Sequence, residues 1–195
     1  FTEGQQDVDY VLTTTEVTRM IKEAGIDLSQ IEPEALDMPF GLSSGAAAIF
    51  GVTGGVTEAV LRRLVHSSRM EDLQDISFTG IRGIEGIKEA SIQLEDRTVK
   101  IAVVNGLRCA ETLLERIKAG EVQYDFVEVM ACKRGCIAGG GQPVPIGPRT
   151  KQARLDGMYK IDSMAQIKRS DENPIIAEVY EGILKGKEHK LLHNR

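Results

Sequence analysis

EVMACKRGCIAGGGQP, Glu128 to Pro143, sets two cysteines four residues apart, Cys132 and Cys136, behind an apolar run and then opens into three glycines. Asp125 to Ala131, with Phe126, Val127, Val129 and Met130, reads as a strand that delivers the first thiol at its C-terminal end, where ligands of open α/β sheets collect. Gly139, Gly140 and Gly141 have no Cβ and so permit the backbone to approach a bulky inorganic object. Two thiolates do not complete a tetrahedral zinc or a cubane cluster, each of which takes about four ligands. The remaining cysteine, Cys109, falls in a different element. Two readings stand at this point: a cluster loop whose other ligands come from elsewhere, or two small buried cysteines beside a glycine-rich turn.

The composition narrows the class. With 195 residues, 42% hydrophobic and 27% charged, the chain is long enough to bury a substantial core in one or two compact units. A net charge of −5, a pI near 5.3 and the lack of tryptophan argue against a nucleic-acid surface, which needs clustered Lys and Arg with stacking aromatics. No apolar run approaches the roughly 20 residues of a membrane span, and Phe1 to Gln6 has no signal-peptide pattern. Three cysteines make no even disulfide framework, which points to a reducing, cytoplasmic compartment.

Along the chain, Tyr10 to Thr13 reads as a short strand and Thr14 or Thr15 as the cap of a helix carrying Val17, Met20, Ile21 and Ala24, stopped by Gly25. Asp27 to Ser44 reads as a long loop. Val56 to Leu64 has helical spacing, with Val56, Val60, Leu61 and Leu64 on the apolar face and Glu58, Arg62 and Arg63 off it. The preceding Gly51 to Gly55 turn lacks the endings of a P-loop or a dinucleotide fingerprint. Ser77 to Gly83 and Ala90 to Asn105 read as strands, the latter a hairpin with a polar turn at Glu95 to Arg97. Gly106 to Lys118 reads as a helix with Ala110, Leu113, Leu114 and Ile117 inward, ended by Gly120. Thr150 to Ile167 and Ile175 to Leu184 read as tail helices. His189 and His193, four apart, read as a solvated terminal face rather than a metal site, and His66 as a surface residue. The expected fold is α/β, a mixed, largely parallel sheet flanked by helices, with residues 1–148 as the α/β portion and 149–195 as a helical tail of the same domain.

DVDYVLTTTEVTRMIKEAGID (Asp7 to Asp27), FGLSSGAAAIFGVTGGVTEAVLR (Phe40 to Arg62), RGIEGIKEA (Arg82 to Ala90) and EVMACKRGCIAGGGQP together resemble the iron-only (FeFe) hydrogenases, in the C-terminal half of their catalytic domain. The resemblance covers nearly the whole chain. It implies an H-cluster, a 4Fe-4S cubane joined through one cysteine sulfur to a two-iron unit. By resemblance, Cys132 is a cubane ligand and Cys136 the shared sulfur. Phe50, Gly51, Thr53 and Gly54 line the cluster cavity, with backbone amides at the helix start facing its anionic ligands. Met130 contacts the cluster with a soft thioether, and Gly139, Gly140, Gly141 and Gln142 offer close approach and N–H donors to cluster sulfur.

Two departures qualify the resemblance. The family's other cubane cysteines and its proton-relaying cysteine sit in a TSCCP-like and an MPC-like motif, and neither occurs here. The chain therefore reads as a piece that begins downstream of them, incomplete and inactive alone and holding no full cluster, and no catalytic residue is assigned within it. The family also has Pro-Gly-Gly or His-Gly-Gly between the cysteines, where this chain has Lys133, Arg134 and Gly135. Cations near a cluster favour its reduced form. The implied partners are molecular hydrogen and protons, an electron carrier such as ferredoxin, and the missing N-terminal part of the catalytic domain. The alternatives are a related iron-sulfur assembly or sensor protein, or a cluster-free module for interactions.

Overall fold

The computed structural model describes residues 4, 6, 8–35, 37–38, 41–64, 86–93, 97–133, 135–144 and 146–193. The expected strand at Ser77 to Gly83, His66, Arg134 and most of the hairpin turn lie outside these residues.

The centre is a mixed three-stranded sheet in the order β1-β2-β3: β1 is Ile87–Gln93, β2 Thr98–Asn105 and β3 Phe126–Met130. β1 and β2 pair antiparallel, with Ile92 opposite Val99, and β2 and β3 pair parallel, with Asn105 opposite Met130. β2 is central because its side chains are apolar on both faces, as a strand covered twice requires. Val99, Ile101 and Val103 pack with Leu61 of helix α3 (Gly55–Leu64), together with Ile92. Ala102 and Val104 face the other way, against Ala110 and Leu113 of α4 (Leu107–Lys118). The residue alternation of a strand thus becomes two helix-covered faces.

A third cluster lies away from the sheet. Ile49 and Val52, in the turn that follows the short helix α2 (Gly45–Ala48), pack with Ile137 of the cysteine loop and Leu155 of α5 (Pro148–Met164). The tail continues through a 3-10 turn at Ser170–Glu172 to α6 (Pro174–Glu181) and α7 (Glu188–Leu192). Its helix starts use Pro148 and Pro174, whose missing N–H belongs to the turn that has no intrahelical acceptor. His189 and His193 lie with ring centroids 5.1 Å apart on the exposed α7. Among the described residues no group of three metal-ligating side chains forms.

Three expectations are corrected. Tyr10 to Thr13 is not a strand: it pairs with nothing among the described residues, and Tyr10 and Val11 are more than four-fifths exposed. Thr13 instead caps α1 (Thr14–Glu23) in a reciprocal box with Glu16. The Thr13 amide, then its hydroxyl, donates to the Glu16 carboxylate and holds that carboxyl below its ordinary pKa. Leu114 of α4 faces solvent rather than the sheet, because Ala110 and Leu113 already fill the contact with β2. The polar face assigned to α3 is also inverted in part. Glu58 and Arg62 are buried, whereas Leu64 is 40% exposed.

Candidate cysteine-loop site

The loop begins where β3 ends. Met130 pairs with Asn105, and its carbonyl accepts from the Gly106 amide at 2.8 Å, so the strand is tied to its neighbour up to the last residue before Ala131. The chain then turns, with the Gly135 amide donating to the Cys132 carbonyl at 2.9 Å, and enters a 3-10 turn at Cys136–Ala138. Both cysteine side chains are exposed free thiols. That removes the reading of two buried structural cysteines and leaves the thiols available to a ligand. Gly139 lies against the first of them: a Cβ there would stand 3.5 Å from Cys132 Sγ.

Gly135 has φ +71°, and a Cβ on it would lie 3.0 Å from the Gly51 carbonyl and 3.4 Å from the Thr53 amide. Only glycine fits that left-handed, crowded position. Through it the cysteine loop rests directly on the Phe50 to Gly54 turn, two segments separated by some eighty residues of sequence. Phe50 is half exposed there, whereas Thr53 and Gly54 are buried.

Glu128 makes the second connection. Its buried carboxylate accepts from the Gly54 amide at 2.7 Å, the Thr57 amide at 2.8 Å and the Thr57 hydroxyl at 2.7 Å. It therefore caps α3 from another strand, as a carboxylate at a helix N-terminus should. The amides expected to face cluster anions at this helix start are, at Gly54 and Thr57, engaged by Glu128 instead. Replacement by alanine strands three buried donors, and at roughly 1 kcal/mol or more for each we expect Glu128→Ala to cost about 3 kcal/mol. Chemical denaturation measures this, and a loss below about 1 kcal/mol would show that the donors find other partners.

The rest of the loop is held from two more sides. The Gly141 carbonyl accepts from the Thr15 amide at 2.9 Å and the Thr15 hydroxyl at 2.8 Å, and Gln142 Nε2 donates to Thr14 Oγ1 at 3.2 Å. The amides of Gly139 and Gln142 close the loop's own turns, onto Cys136 and Gly139 carbonyls. From α5, Arg154 donates to the Ile137 carbonyl at 2.7 Å and the Pro143 carbonyl at 2.9 Å. Lys133 is exposed, with its stem against Gly106.

Behind α3 lies a buried ionic group. Arg62 donates to Glu58 at 2.5 Å and, through both arms, to Asp162 of α5 at 2.7 Å. Burial works against the guanidinium's charge, but the bonds and charges of Asp162 and Glu58 outweigh it and raise the Arg62 pKa further. Sequence reading missed this group because a Glu-Arg pair at i,i+4 is ordinarily a solvated helix face. The partner that buries it is 100 residues away.

The donor set tests what the loop can hold. Two exposed thiols with glycine beside them suit thiolate binding of a soft metal cluster, and they amount to half the ligands of a cubane. Cys109 is not a candidate to complete it, since it packs among Ala102, Val104 and Leu113 on the far face of the sheet.

The family model "Iron only hydrogenase large subunit, C-terminal domain" matches residues 1–140, and "Iron hydrogenase small subunit" matches residues 148–195. The NADP-reducing hydrogenase subunit HndD of Solidesulfovibrio fructosivorans is 41% identical, over 97% of this chain and 33% of its own length. The cytosolic iron-sulfur assembly component 3 of Mus musculus is 31% identical, over 97% of this chain and 41% of its own length. The solved FeFe-hydrogenase HydA1 of Chlamydomonas reinhardtii superposes with a TM-score of 0.67 at 36% identity, covering 91% of this chain and 52% of that one. The chain thus spans a third to about a half of the length of these relatives. With the family model matched over residues 1–140, both loop cysteines included, this chain belongs to the iron-only hydrogenase large-subunit family, in its C-terminal domain.

Proposed function

We propose that this chain is the C-terminal part of an FeFe-hydrogenase catalytic domain, in which Cys132 and Cys136 would hold the cubane and the Cys136 thiolate would also hold the two-iron unit. The supporting observation is the pair of exposed thiols on a loop braced by β3, α1, α3 and α5. Such bracing suits a ligand set that must keep its geometry while electrons come and go. When bound, the H-cluster supplies the reversible interconversion of hydrogen with protons and electrons, and the protein supplies position and dielectric. In that role the backbone at Gly139 leaves room beside the Cys132 thiol, while Gly135 seats the loop on the Phe50 to Gly54 turn. Phe50, Gly51, Thr53, Gly54, Met130 and Gly139 to Gln142 form the surrounding wall. Val8, Tyr10, Val11, Val17 and Met20 expose apolar surface that fits burial under the rest of the catalytic domain. The electron carrier is a ferredoxin-type protein and the compartment cytoplasmic. Among the described residues no helix is long and apolar enough to cross a membrane.

A second reading is an iron-sulfur assembly protein, favoured by the assembly component among the relatives. The full-length protein, reconstituted anaerobically with iron and sulfide and supplied with the two-iron unit, separates the two. Hydrogen evolution from a reduced viologen dye supports the hydrogenase reading. Stoichiometric cluster uptake without evolution supports the assembly reading. This chain alone, with two of about four cubane ligands, is expected to retain no stoichiometric cluster.

A further inference from the structure

We infer that Arg154 is a positioning residue for the Cys136 side of the cysteine loop, supplied by the stretch that matches the small-subunit family to the stretch that matches the large. This rests on the reading of Cys132 and Cys136 as cluster ligands. The bonds themselves do not.

One planar guanidinium holds two loop carbonyls, Ile137 at 2.7 Å and Pro143 at 2.9 Å. These residues flank the glycine run on either side, so a single rigid fork fixes the width of the loop. Ile137 follows Cys136 directly, and the loop's own turn bonds use the Cys132, Gly135, Cys136 and Gly139 carbonyls, not that of Ile137. The Ile137 side chain is 7% exposed and packs with Leu155, the neighbour of Arg154 on α5. One helix turn therefore grips Ile137 twice, by apolar packing and by its carbonyl. The same helix carries Asp162, whose bond to Arg62 anchors it to α3. Residues 148–195 match the small-subunit model and 1–140 the large, so the bonds of Arg154 to Ile137 and of Asp162 to Arg62 join the two family segments, and Pro143 lies in the stretch between them. In this chain the tail is the support on which Cys136 is held.

The test is Arg154→Ala in the full-length protein, with Arg154→Lys beside it. Lysine keeps the charge but not the two-armed planar fork, so a charge effect and a clamp effect give different outcomes. Hydrogen exchange is read at the Ala138, Gly139 and Gln142 amides, with α4 amides as the internal control. With the clamp removed, the loop amides are expected to exchange about tenfold faster, the change that about 1.4 kcal/mol of local stability produces. The α4 amides are expected to hold their rate, and Arg154→Lys to fall between wild type and alanine. Release of reconstituted iron to a ferrous chelator is expected to accelerate in the same order. Loop exchange within about twofold of wild type in either folded variant overturns the clamp, since local opening then does not depend on these bonds. If Arg154→Ala does not fold, the lysine variant alone decides by the same measure. A wild-type protein that takes up no iron, but whose loop loosens on substitution, sinks the ligand reading and upholds the clamp.

Discussion

Replacing Arg62 by methionine is expected to destabilise the protein by about 3 to 5 kcal/mol, the range for breaking a buried ion pair from one side. The substitution leaves Glu58 and Asp162 facing each other in the interior without their shared cation. The three side chains are almost fully enclosed, so water does not replace the guanidinium. The same reasoning says that the group as a whole is a weak source of net stability, because each charge also loses its hydration. Combining Arg62→Met with Glu58→Gln and Asp162→Leu should therefore recover much of the loss. Chemical denaturation of the single and combined variants measures both effects, and non-additivity is the signature of a shared network. A loss below about 1 kcal/mol for Arg62→Met alone, or strict additivity across the set, would mean that the group behaves as solvated charges do.

The largest functional effect is expected at Cys136. On the proposed reading, Cys136→Ser removes a cubane ligand and the only protein bond to the two-iron unit together, so hydrogen turnover in the full-length protein falls to background. Cys132→Ser removes a cubane ligand alone and is expected to leave a measurable residue of activity. Cys109→Ser should leave turnover near wild type, because that thiol packs under α4 on the opposite face of the sheet. Iron and acid-labile sulfide counted per protein, with hydrogen evolution on the same samples, check all three. Near-normal turnover in Cys136→Ser would refute the assignment of the bridging sulfur. Its loss in Cys109→Ser would move the ligand to the sheet's other face.

Both predictions bear on how the tail relates to the body. Asp162 through Arg62 and Arg154 through the Ile137 carbonyl reach from α5 into elements of the large-subunit segment. The two contacts differ in kind. The first belongs to a buried ionic group that ties α5 to α3. The second is a partly buried set of hydrogen bonds that ties α5 to the cysteine loop.

Much of the fold was legible in residue order. The alternation through Ala90 to Asn105, the helical spacing of Gly106 to Lys118 and the apolar run before Cys132 each carry a local period, and each appears in the structure near its expected bounds. The family was legible too, because the glycine turn and the cysteine loop keep their residues in order and spacing. Tyr10 to Thr13 misled because an apolar run is a strand only where a neighbour offers its backbone, and residue type does not report neighbours. Glu58 and Arg62 misled for the matching reason, since a charged pair is solvated until another element covers it. Glu128, Arg154 and Asp162 carried no signal at all, as each is an ordinary polar residue in its own segment. By itself, then, the sequence determined the elements, the two-thiol loop and the family. Only the tertiary structure decided which charges are buried and what holds the loop, because partners in different elements, such as Glu128 and Gly54 or Arg62 and Asp162, 74 and 100 residues apart, meet only when the chain has folded.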